Sequence, residues 1–263
     1  MKAFIVLALV TAALLPGVTA ADGRTPYLAT IAIERAPGAS GALADEVEAT
    51  LHVRNAQHTV QALAGVDGLA VVASDADTVR IRYGDRPTLS GSPGEQLQLS
   101  TWVVDYDDAS VQALLTQGEV APTPTSLERL VFEHVSNKSY SRAFDLASRV
   151  AATREGDCTE HAVLLAALAR ASGFPARVVF GNLILEQDGD LSAYGHAWVE
   201  IHNGDSWQIR DATLPLAASA AQRSRYLPLG TMADEGPAYA LSLVETMSAM
   251  PLKITDVSNF ETP

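Results

Sequence analysis

The chain has no second cysteine. Cys158 stands alone among 263 residues, so an internal disulfide is excluded and stability must come from a packed core. Basic side chains are few as well: 18 Lys and Arg face 31 Asp and Glu, for a formal charge of −13. Nucleic acid and anionic lipid are both held by concentrated Lys and Arg, so neither is expected as a partner. Beyond residue 20 no apolar run approaches the roughly 20 residues needed to cross a bilayer, and no internal repeat is visible.

The one long apolar run lies at the start. Residues 1–20, MKAFIVLALVTAALLPGVTA, combine Lys2, an apolar stretch from Phe4 to Leu15, a Pro16-Gly17 break and a Val18-Thr19-Ala20 site. This is the pattern of a secretory signal peptide cleaved after Ala20. It is too short and too interrupted for an anchor, and no cysteine stands at the cleavage site to take a lipid. Losing Lys2 would leave a mature chain of charge −14, expected to be periplasmic or secreted. There a lone thiol is either buried and inert or exposed and reactive.

Residues 26–104 alternate in the manner of half-buried strands. Val47, Ala49, Leu51 and Val53 are apolar between mostly polar neighbours, as are Val79, Ile81 and Tyr83. His52 and His58 fit surface strand positions. Short strands broken by turn residues suggest a small antiparallel sandwich, so residues 21–100 are expected to form a β-rich N-terminal domain. The pattern then changes to helices. Asp107 or Asp108 caps a first one ending at Gly118; its acid cluster lacks the ligand spacing of a calcium loop. Thr125 with Glu128 forms a capping box for a second helix, with Leu127, Leu130, Val131 and Val135 inward. A third runs from about Ser141 to Ala152.

Asp157 and Glu160 repeat the capping-box spacing, which puts Cys158 at the first position of a helix. The run from Ala162 to Leu168 is apolar on all sides, so this helix is expected to be central. At such a start the helix dipole favours a thiolate, and a nearby cation can lower a thiol from about 8.5 to roughly 3.5–7.5. Downstream, Asn203-Gly204 is the strongest hairpin signal in the chain. A two-residue turn there pairs His202 with Asp205 and, continued outward, His196 with Asp211, with Cβ atoms about 4.5–5.5 Å apart. Trp198 would share that face and Trp207 would oppose Glu200. This pattern does not say where the Cys158 helix packs.

Three blocks stand in order along the chain: GDCTEHAVLLAALARASGFPARVVFG, YGHAWVEI and WQIRDAT. Through them residues 101 to about 256 resemble the transglutaminase-like superfamily, the papain-like group that includes bacterial exported cysteine proteases. The resemblance implies an α+β fold, a papain-like transglutaminase core of helices packed on an antiparallel sheet, here in residues 101–263 and preceded by the small β-sandwich-like domain. It implies Cys158, His196 and Asp211 as a catalytic triad, a protein or peptide substrate, and neither cofactor nor metal. Transglutaminases proper also use a tryptophan upstream of the cysteine to help hold the oxyanion. None occurs between Trp102 and Cys158, which leaves Tyr140 as the candidate side-chain donor beside the Cys158 backbone N–H.

The reaction so implied is acyl transfer from an amide through a thioester. Water as acceptor gives hydrolysis of a peptide or isopeptide bond, the favoured outcome, whereas a lysine amine gives a crosslink. Two readings of another kind stay open: Cys158, His161, His196 and Asp211 as four metal ligands, and a non-catalytic binding or scaffolding module. The oligomeric state is not legible.

Overall fold

The computed structural model describes residues 29–116, 121–137, 145–214, 222–232 and 235–260. The expected signal peptide, Gly118 and Tyr140 fall outside them. In chain order the described elements are β1 (Ala29–Arg35), β2 (Val47–His52), α1 (Ala56–Leu63), β3 (Val66–Ser74), β4 (Thr78–Leu89), α2 (Ala109–Leu115), α3 (Pro124–His134), α4 (Ala147–Thr153), α5 (Cys158–Ala171), β5 (Ala176–Gln187), β6 (Asp190–His202), β7 (Trp207–Arg210), β8 (Gln222–Thr231), α6 (Tyr239–Ala249) and β9 (Lys253–Asn259).

All the strands join one sheet in the order β3-β4-β2-β9-β1-β6-β5-β8, with β7 on the outer part of β6. The pairings are antiparallel except that of β1 with β9. The sheet curls until β4 touches β8, giving the mixed α+β architecture that the three sequence blocks imply. The alternation in β2 and β4 is real: Val47, Ala49, Leu51, Val79, Ile81 and Tyr83 are buried. They share a core with Ile184 of β5, Ala193 of β6 and Ile254 of β9. Hydrogen bonding is continuous from β2 through β9 and β1 to β6.

Local chemistry moves several boundaries. Residues 56–63 are helical, so His58 stands on α1 and not on a strand. Asn55 caps this helix by accepting the His58 N–H at 3.1 Å, and Ala56 and Leu63 recur at helical spacing on its buried side. The helix expected at Thr125 begins earlier, at Pro124, whose fixed φ suits a first turn. Its capping box is Thr123 with Ser126, and Glu128, released from that duty, turns inward and is 7% exposed. Asp108 caps α2, and α4 starts at Ala147 rather than near Ser141.

Helix α5 is the axis of the molecule. Each residue from Cys158 to Arg170 is buried, because α2, α3 and α4 pack on one side and β5 and β6 on the other. Ala176, Val178 and Phe180 of β5 and Ala197, Val199 and Ile201 of β6 face it. The opposite face of these strands carries Val179, Leu183 and Trp198, which pack with Tyr226 of β8 and Leu89 of β4 inside the curl.

Candidate active site

The start of α5 is built by its capping box. Asp157 Oδ1 accepts the Thr159 N–H at 2.8 Å, and Glu160 Oε2 accepts the Asp157 N–H at 2.9 Å. Gly156 makes room for this return: a Cβ there would lie 2.2 Å from Glu160 Cβ. Cys158 is therefore the first helical residue, as its spacing predicts, and it is wholly buried. Burial pushes its thiol well above the usual value, the carboxylates of Asp157, Asp211 and Glu160 add to this, and the Ala197 N–H pulls the other way. Burial and these acids thus work against the helix dipole expected to favour a thiolate.

Glu160 is itself displaced, from an ordinary 4.5 to about 8, by burial and by Asp157. The folded protein holds a proton that the unfolded chain releases, so this group lowers stability progressively as pH climbs from about 4.5 to 8. Glu160→Gln, neutral at any pH, is expected to remove that slope. Its melting temperature should exceed the parent's by a margin that grows from pH 5 to pH 8, reaching roughly 5 °C. A gain equal at both ends would show that the penalty lies elsewhere.

The hairpin after β6 forms, but two residues out of the expected register. Asn203 Oδ1 accepts the N–H groups of Asp205 and Ser206, each at 3.0 Å, and Gly204 takes φ +104. These make a four-residue loop in which His202 pairs with Trp207 and Val199 with Arg210. Trp207 stacks edge-on to His202, 5.1 Å away, and Ile209, not Trp207, opposes Glu200. Continued outward, the ladder sets Asp211 level with Trp198. A slide of two residues keeps the sheet face, so Asp211 still meets His196, diagonally: Nε2 donates to Oδ2 at 2.8 Å.

Asp211 is held from several sides. Oδ1 accepts the Thr213 N–H at 2.9 Å, Oδ2 also accepts the Tyr226 hydroxyl at 3.0 Å, and its own N–H donates to Glu128 Oε1 at 2.8 Å. Burial works to raise this carboxylate, but His196 and the hydrogen bonds outweigh it and hold the group below its usual value. Glu128 and Tyr226 were not foreseen as parts of the site. Glu128 looked like a cap, and nothing in the spacing of Tyr226 ties it to residue 211.

The outer edge of β6 has a gap beside the His196/Asp211 pair. On its outer edge β6 pairs with β1 as far as Gly195 and with β7 from Val199, so among the described residues no strand covers positions 196–198 there. Cys158 lies against the amide of Ala197, the residue that follows His196. His196 is fully buried, and the Trp198 ring stacks 6.2 Å from its own at 25°, as the shared pleat face predicts. Behind His196 the chain needs Gly181: a Cβ there would lie 2.1 Å from the Leu227 carbonyl oxygen and 2.8 Å from Trp198.

His161, one turn along α5, directs Nδ1 to the Asp157 carbonyl at 2.5 Å. Among the described residues no three His, Cys, Asp or Glu side chains are grouped as metal ligands. Of the two oxyanion candidates, Tyr140 lies outside the described residues, and Cys158 presents its N–H at the first turn of α5.

No curated protein matches the chain. Among solved structures, a candidate cysteine protease from Cytophaga hutchinsonii is 14% identical, with 74% of this chain and 82% of that one covered and a TM-score of 0.45. The periplasmic domain of TgpA from Pseudomonas aeruginosa is 15% identical, with 77% and 86% covered and a TM-score of 0.42. The model of one protein family matches residues 113–212, the stretch from α2 to just past β7 that contains Cys158, His196 and Asp211. Over that stretch the chain matches the transglutaminase-like superfamily.

Proposed function

We propose that Cys158, His196 and Asp211 act as nucleophile, base and orienting acid in acyl transfer from an amide. The observation that carries this reading is the 2.8 Å bond from His196 Nε2 to Asp211, made one residue from the amide against which the Cys158 sulfur sits. The match to a superfamily whose members are usually enzymes supports it. With Nε2 committed to Asp211, Nδ1 takes the thiol proton as sulfur attacks the carbonyl carbon. The oxyanion is met by the Cys158 N–H and, in this proposal, by Tyr140. The imidazolium then protonates the leaving amine, the C–N bond breaks and a thioester remains. Water, deprotonated by His196, attacks the thioester and releases the acid and the thiol.

Burial and the neighbouring acids favour the neutral thiol, so in this reading charge separation accompanies substrate attack. Hydrolysis of a peptide or isopeptide bond is the favoured outcome, and transamidation by a lysine amine is the alternative. In this proposal residues 101–263 carry the catalytic groups, and the β-rich stretch 21–100 before them contributes β1–β4 to the same sheet. The leader pattern at 1–20 assigns the protein to the periplasm or medium, and no helix among the described residues is long and apolar enough to cross a membrane.

The test is intact-mass spectrometry after mixing with p-nitrophenyl acetate and, separately, with a peptide thioester. One acyl group is expected on the parent and none on Cys158→Ala, with discharge to water or to added primary amine separating hydrolase from transferase. A folded parent that takes up no acyl group would leave the non-catalytic module as the better reading.

A further inference from the structure

We infer that Tyr226 is a positioning residue of this site, its hydroxyl keeping Asp211 ionised and aimed at His196. The inference rests on the triad reading above. Its ground is geometric: Asp211 Oδ2 accepts from two donors at once, His196 Nε2 at 2.8 Å and Tyr226 Oη at 3.0 Å. The Tyr226 ring is fixed by packing, 2% exposed and edge-on to Trp198 at 5.1 Å, while Trp198 in turn stacks on His196. One rigid aromatic group therefore sets the direction of the hydroxyl, and the hydroxyl sets the direction of the carboxylate.

Packing alone does not account for a tyrosine here. A phenylalanine would fill the same space without burying a hydroxyl, which costs free energy unless it is bonded. The groups facing Asp211 explain what the hydroxyl does. Glu128 of α3 lies against the Asp211 backbone, with Arg210 at the end of β7 3.8 Å from its carboxylate. Arg86 of β4 stands 5.7 Å from the Tyr226 ring centre, His196 comes from β6, and Cys158 comes from α5. Glu128 and burial both oppose a charge on Asp211, so its donors decide whether it stays ionised. Tyr226 is suited to donate throughout the working range, because burial and the neighbouring carboxylate hold its pKa well above the usual value and keep the hydroxyl protonated. It sits on β8, opposite Leu183, beyond the residues that match the family model.

The experiment compares the parent, Tyr226→Phe, and protein with 3-fluorotyrosine incorporated at position 226, which keeps the ring and strengthens the donor. Two quantities are read: the pH dependence of Cys158 acylation, and the carbon-13 titration of the Asp211 carboxyl. For Tyr226→Phe the acid limb and the carboxyl midpoint should both rise by about one pH unit, with kcat down about tenfold and KM unchanged. The fluorinated protein, which keeps both the ring and the hydroxyl, should shift both the opposite way. An Asp211 midpoint that is the same in all three proteins would overturn the inference, whatever the parent's activity. A shifting midpoint with no acylation of the parent would uphold the coupling of Tyr226 to Asp211 and sink the triad reading instead.

Discussion

Asp211→Asn is expected to lower kcat for amide cleavage by roughly 10⁴ while the protein stays folded, the size of loss seen when an orienting acid in a hydrolase triad becomes an amide. The reason is a forced tautomer. The Thr213 backbone N–H points at Oδ1 and cannot turn away, so the new amide must present its oxygen there and its NH₂ group in place of Oδ2. That group meets Tyr226, whose hydroxyl can rotate to accept, and His196 Nε2, which must then carry a lone pair. The imidazole proton is driven to Nδ1, the nitrogen that should receive the thiol proton, and the base is lost without loss of shape. The measurement is kcat beside a denaturant midpoint. A variant retaining more than about a tenth of parental kcat would mean that His196 does not work through Asp211.

The second large effect concerns stability. Glu200→Ala is expected to cost about 3–5 kcal/mol of unfolding free energy, read from denaturant curves. Glu200 has no exposed side-chain surface and bonds Arg177 at 2.6 Å across the β5–β6 ladder. It also accepts the Leu89 N–H at 3.1 Å, tying the end of β4 to these strands. Arg177 is 9% exposed and lies over the Trp207 ring at 3.8 Å, so removing the carboxylate leaves a buried cation with, among the described residues, only the Leu89 and Ser90 carbonyls to accept from it. The pair is costly to break yet is not itself a source of stability. Burial pushes Glu200 up from its usual value even with the guanidinium beside it. Replacing both partners, as Arg177→Met with Glu200→Leu, should therefore recover most of the loss. A single-variant cost below about 1 kcal/mol would contradict this account.

Local chemistry was read directly from the residues where neighbours in sequence do the work. The Asp157/Glu160 box, the burial of the Ala162–Leu168 run, the alternation in β2 and β4 and the turn at Asn203-Gly204 all depend on side chains within a few positions of one another. The hairpin register shows the limit of that kind of reading. Whether Asn203 closes a two- or a four-residue loop depends on small differences in local hydrogen bonding, and the slide of two residues kept His196 and Asp211 on one face only because the pleat repeats every two.

What the sequence by itself determined is therefore the helix that begins at Cys158, the strands of the β6–β7 hairpin and the family resemblance. Only the tertiary structure decided the electrical state and the company of the residues on these elements. The thiol at a helix start is pushed toward its neutral form because burial excludes water from it and three acidic groups lie near it, two of them its neighbours in sequence and the third, Asp211, brought from β7's end. Glu128 from α3 and Tyr226 from β8 reached Asp211 for the same reason: hydrogen bonds and desolvation act over a few ångströms in space, and no spacing along the chain reports which distant segments the curl of the sheet will bring that close.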